Sequence, residues 1–142
     1  MQSAPDSGII NPDGESVNIS NERQKILNGT YPSRIIEGRQ RKHIEGTREF
    51  EQNRAKMQRL SPGSEPAILT ADAQTLVNRY KGSGLVEIKR GSQYPREIID
   101  TTDIIGKTWV QSLSKYADTK RIEIFYSSTG THVVPVSDYR KR

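Results

Sequence analysis

The chain has 142 residues, enough for one ordinary domain and too few for two well-cored ones. Lys and Arg outnumber Asp and Glu by 22 to 17, and the first twenty residues hold Asp6, Asp13 and Glu15 with no base, so the cationic surplus lies in residues 21–142 and favours polyanionic partners. Only 32% of residues are hydrophobic, which predicts a small core, and the lack of cysteine excludes disulfide staples, thiolate catalysis and Cys-ligated zinc.

Residues 1–20 mix Pro, Gly, Ser, Asn and Asp without periodicity and read as a linker or tail, leaving 21–142 as the folded domain. They lack the basic start and apolar stretch of a signal peptide, and nothing in the chain approaches the roughly 20 apolar residues that span a bilayer. A short helix follows, capped by Ser20 or Asn21 and stopped at Asn28-Gly29. Residues 47–60 predict another, with Thr47 as N-cap, acids in the first turn, and Phe50, Met57 and Leu60 on one face. Pro62-Gly63 and Pro66 end it. Ala67-Ile68-Leu69 return to the core before Thr70 caps a helix in which Ala73, Leu76, Val77 and Tyr80 fall at i, i+3, i+4 and i+7. Gly82 stops that helix, and Lys81-Gly82-Ser83-Gly84 reads as a connector.

Beyond Gly84, short apolar groups between turn residues predict strands at 85–88, 96–100, 107–111, 121–127 and 131–136. Ser128-Thr129-Gly130 joins the last two as an antiparallel hairpin. Trp109 lies in an apolar run and is expected in the core. Helices first and antiparallel strands later give an α+β domain with the helices on one face of the sheet.

Two segments carry chemistry. In residues 39–48, Arg39, Arg41, Lys42 and Arg48 surround His43, the first of two histidines. If extended, this segment would turn Arg39, Arg41, His43 and Glu45 to one side. Guanidinium groups grip phosphate oxygens, and a compact ammonium neutralises developing charge. The alternative is a solvated basic loop with an incidental histidine. Around the second turn, Tyr126, Ser127, Ser128, Thr129 and Thr131 gather hydroxyls beside His132, which shares a strand face with Val134 and Val136. Here the alternative is a core histidine satisfied by hydrogen bonds.

Two imidazoles among cations suit RNA cleavage without a metal. One neutral ring takes the 2′-OH proton, and a protonated partner supplies the leaving oxygen. Two histidines without HxH, HExxH or clustered acids argue against a dedicated metal site, and no GxxxxGK[ST] loop occurs, so no cofactor is expected.

Taken together, EGRQRKHIEGTREF at 37–50, the stretch 67–84 and IEIFYSSTGTHVVP at 122–135 resemble the polymorphic toxin type 50 family over about residues 25–137. The resemblance implies a delivered bacterial toxin domain, commonly the C-terminal piece of a larger protein, acting in the target-cell cytoplasm as a ribonuclease. It implies the barnase, EndoU, colicin and RelE type of fold, with N-terminal helices packed on a four- to five-stranded antiparallel sheet. A monomer is expected, neutralised by an acidic cognate immunity protein. Contact-dependent growth inhibition effectors that cut tRNA are the functional analogue, which makes tRNA the expected RNA.

By position, Lys42 and His43 match the family's Lys-His pair, Thr47 its Gly-Thr, and Tyr126, Ser127, Thr131 and His132 its terminal motif. His43 and His132 are then the catalytic pair and Lys42 the charge stabiliser. Thr131 and Tyr126 are expected to donate to phosphate oxygens, and Arg39, Arg41, Thr47, Arg48 and Ser127 to contact substrate. A non-catalytic nucleic-acid-binding or phage-associated structural module is the alternative, with a metal-dependent DNase as a third.

Overall fold

The computed structural model of the chain describes residues 9–10, 16–17 and 19–138. The linker reading of residues 1–20 falls largely outside them; within it, β1 (Ile9–Ile10) pairs antiparallel with β2 (Ser16–Val17). Helix α1 (Ile19–Leu27) starts one residue ahead of the first expected cap and stops where Asn28-Gly29 predicts.

Residues 39–48 are not extended. They form the short helix α2 (Glu37–Gln40) and a 3-10 turn (Arg41–His43) leading into α3 (Arg48–Leu60). The Thr47 hydroxyl explains the compaction: it donates to the carbonyls of Arg41 (2.7 Å) and Ile44 (2.9 Å) and accepts the Phe50 amide (3.1 Å). One side chain thus folds back the preceding turn and caps α3. The strand-like alternation expected for Arg39, Arg41, His43 and Glu45 is lost. Helix α4 (Ala73–Tyr80) is capped by Asp72, whose carboxylate accepts the Thr75 amide at 2.9 Å, and not by Thr70.

The strands form an antiparallel four-stranded sheet in the order β4 (Leu85–Glu87), β5 (Arg96–Asp100), β8 (Arg121–Tyr126), β9 (Thr131–Val136), as the α+β reading predicts. Period-two alternation sorts its faces. Val86, Ile99, Ile122, Ile124, Tyr126 and Val133 point inward against Ile26 of α1 and Leu76 and Val77 of α4, forming one core. Phe125 and His132, directly opposed across β8 and β9, lie on the other face and are half-buried.

A second antiparallel sheet orders β3 (Ile68–Leu69), β6 (Gly106–Val110) and β7 (Lys115–Thr119). It adjoins the first at β9, where the Thr119 hydroxyl donates to the Val136 carbonyl at 2.6 Å. The sequence pattern misses β7 because this edge strand buries only Thr119 and so lacks apolar alternation. Trp109 is not in the core: it is half-buried on β6, its ring edge-on to Tyr116 at 5.1 Å and its indole N–H donating to Gln111.

Candidate active site

His43 comes within electrostatic range of His132 because the chain before α2 docks along β9. Ile35 forms a parallel bridge to Thr131, with the Ile36 amide donating to the Thr131 carbonyl and the Thr131 amide to that of Arg34, each at 2.9 Å. Gly130 permits the approach: a Cβ there would lie 2.7 Å from the Arg34 carbonyl oxygen, and its φ of +150° lies in the glycine-favouring range. Two residues along β9, the buried Gln40 amide makes a second clamp. Its Nε2 donates to the Val133 carbonyl (2.9 Å) and its Oε1 accepts the Val133 amide (2.8 Å). The turn that follows Gln40 is thereby held beside His132.

That docking gives the site its electrostatics. His43 donates Nδ1–H to the Ala67 carbonyl at 3.2 Å, since a carbonyl can only accept, and this leaves Nε2 as its exchangeable nitrogen. Burial holds the His43 pKa below the ordinary imidazole value; the Ala67 bond opposes this and the Lys42 charge reinforces it. His132 is displaced further, to about 4, first by burial and then by repulsion from His43, Arg39 and Lys42. These four groups therefore share one electrostatic environment. The His132 ring stacks on Phe125 at 5.0 Å with the planes 12° apart. Its Nδ1 is enclosed without a hydrogen-bond partner, so proton exchange passes through Nε2.

His132 borders an open groove of about 410 Å³ shared with Arg39, Tyr94, Phe125 and the turn at Ser127, Ser128 and Thr129. The Tyr94 hydroxyl donates to Ser128 at 3.1 Å, and Arg34 donates to the Thr129 carbonyl at 3.1 Å, bracing the groove's rim. No group of three or more His, Cys, Asp or Glu side chains able to hold a metal ion occurs among the described residues.

Several expected contacts are committed elsewhere. The Tyr126 hydroxyl points into the core and donates to Glu97 at 2.6 Å; burial and that carboxylate push its pKa up. Thr131 is fully buried and donates to the Pro32 carbonyl at 2.8 Å, so it is a docking residue and not a phosphate donor. Ser127 donates to the Gly130 carbonyl at 2.8 Å and shapes the turn. Thr47 caps α3. Arg41 pairs with Glu49 at 3.1 Å, whereas Arg48 stays exposed and only approaches the same carboxylate at 3.8 Å. Of the expected set, His43, His132, Lys42 and Arg39 converge.

Three contributors were not legible in advance. Gln40 sits in a charged run that gives no sign of burial, Phe125 reads as one more apolar strand residue, and Tyr94 lies in an irregular loop. The only usable signal is the register that opposes Phe125 to His132.

The docked segment and the sheet coincide with a known family. Residues 35–135 match Bacterial toxin 50, a span that runs from the Thr131-bridged Ile35 to the strand bearing His132. The chain belongs to that family. No curated protein and no solved structure matches it. Both imidazoles and the Gln40 clamp of this Bacterial toxin 50 domain fall inside the matched region, whereas α1 lies outside it. No helix among the described residues is long and apolar enough to cross a membrane.

Proposed function

We propose that this toxin domain is an endoribonuclease that cleaves RNA by attack of a 2′-OH on its own phosphodiester, without a metal. The observation that carries the reading is that His132, which lines the groove with Arg39, feels the charges of His43, Arg39 and Lys42. His132, held neutral near pH 7 by its environment, takes the 2′-OH proton through Nε2 as O2′ attacks phosphorus. The bond from phosphorus to O5′ breaks, and a protonated His43 gives its Nε2 proton to the departing oxygen. The products are a 2′,3′-cyclic phosphate and a 5′-OH.

The Ala67 carbonyl favours the cationic form of His43, which fits it to the acid role better than His132. Arg39 and Lys42, whose charges act on His132, are the cations assigned to neutralise the phosphorane oxygens. The cationic groove also suits an acidic immunity protein that fills it. We expect the domain to act in the target-cell cytoplasm, with tRNA as the first RNA to try.

The test is digestion of total RNA, and of tRNA alone, in EDTA. Wild-type protein should yield fragments with cyclic phosphate ends. His43→Ala and His132→Ala should each lose about 100-fold or more, the contribution typical of a positioned acid or base. RNA left intact by folded wild-type protein, or cleavage retained by both variants, overturns the reading.

A further inference from the structure

Beyond the groove, Arg48, Gln52, Lys56 and Arg59 stand at intervals of four, four and three residues along α3, forming one exposed polar stripe. Arg48 is 80% exposed and only grazes Glu49, while Lys56 and Arg59 form no ion pair among the described residues. The acids of α3 are engaged elsewhere: Glu49 holds Arg41, and Glu51 faces Arg54, which is itself bound to Glu65.

The stripe is joined to the site. Lys42, whose charge is felt by both imidazoles, lines a shallow groove of about 170 Å³ with Glu49, Gln52, Asn53 and Lys56. A polyanion lying at the histidines and passing Lys42 therefore meets α3 next.

We propose that α3 is a phosphate rail for a helical RNA stem beside the scissile position, so that the substrate class is structured RNA and not short single strands. The proposal rests on the ribonuclease reading and adds to it where the rest of the substrate lies. The stripe from Arg48 to Arg59 runs about 16 Å at the helical rise, or about five steps of a nucleic-acid strand. A dinucleotide at the histidines cannot span it. Single-stranded RNA is held by stacking on aromatic rings, and the only aromatic residue of α3, Phe50, is buried. Phosphates contacted by Arg, Lys and Gln, without base readout, are the recognition mode left to such a surface. An acidic protein is disfavoured because a stable protein interface needs an apolar centre, and the stripe offers only Leu60 at its far end.

The experiment compares His132→Ala protein, its Lys56→Ala/Arg59→Ala derivative and a charge-matched Lys115→Ala/Lys120→Ala derivative, the last altering exposed cations on and next to β7. Each is titrated with a hairpin RNA of eight base pairs across a salt series, using fluorescence anisotropy. The α3 derivative should bind at least about tenfold more weakly, with the slope of log K against log salt smaller by about 2, while the control changes far less. In the active background, the same α3 substitutions should lower the ratio of hairpin to tetranucleotide turnover. Equal loss in the two derivatives, or unchanged hairpin binding by the α3 derivative, overturns the rail and leaves an acidic protein as the stripe's partner. Wild-type digestion of total RNA in EDTA tests the ribonuclease reading separately, because hairpin binding is measured on inactivated protein.

Discussion

Acid should destabilise this domain through His132, and replacing that ring with phenylalanine should remove the effect. The folded-state pKa is about 4, against an ordinary value near 6.5. The unfolded chain therefore binds more protons throughout that window. Stability is fully present above pH 6.5 and is lost as pH falls toward 4. The ceiling at pH 4.5 is about 2.5 kcal/mol from the shift alone, and the ring's partial exposure reduces it to about 2 kcal/mol. Phenylalanine keeps the stack on Phe125 and puts a carbon where Nδ1 has no partner, so His132→Phe should match or exceed wild type at pH 4.5.

Urea denaturation at pH 7.0 and pH 4.5 measures the effect as a difference of differences. Glu49, Glu65 and Asp72, whose carboxyl pKa values are held low, also lose stabilising contacts in acid, but they do so equally in both proteins and cancel. With m of about 2 kcal/mol per molar urea, the wild-type midpoint should fall by about 1 M more than that of the variant. Parallel midpoints would refute the claim that the His132 site resists protonation.

The same groups set the activity profile. For free enzyme, kcat/KM should rise as His132 deprotonates near pH 4 and fall as His43 deprotonates below its ordinary value, giving a bell centred on the acid side of neutrality; a plateau through pH 8 would exclude His43 as the acid. Gln40→Ala strips partners from the Val133 amide and carbonyl and should cost about 2–4 kcal/mol by urea denaturation. At low temperature, where the variant stays folded, kcat should fall more than KM changes, because the His43 turn loses its tie to β9. Gly130→Ala should destabilise by at least about 2 kcal/mol, since its methyl group would meet the Arg34 carbonyl and Ile36; unaltered stability would mean the bridge between Ile35 and Thr131 is dispensable.

What the sequence reveals of this molecule follows from how local each cause is. Thr47 and the helix it caps are legible because a cap and an amphipathic stripe lie within one stretch of chain. Strands β5, β8 and β9 are legible because alternation reports two-faced burial. The short helix at Glu37–Gln40 is invisible because its cause is a partner 93 residues away, Val133. Tyr126 and Thr131 mislead for the same reason. Hydroxyls beside a histidine look available until the fold supplies Glu97 and the Pro32 carbonyl to receive them. Residue type identified the imidazoles and the cations near them; long-range pairing decided which hydroxyls remained free.

Glu97 ties the molecule's halves through one buried side chain. Its carboxylate accepts the amides of Gly82 (2.8 Å) and Gly84 (2.6 Å), just after α4, together with the phenol of Tyr126 on β8, while Arg23 of α1 grips the carbonyls of the same two glycines. Peeling the turn after α4 from the sheet would strip Glu97 of two amide donors, and peeling α1 would strip the Gly82 and Gly84 carbonyls of Arg23. In a chain without a single covalent crosslink, opening either seam thus leaves polar groups of the other unpaired.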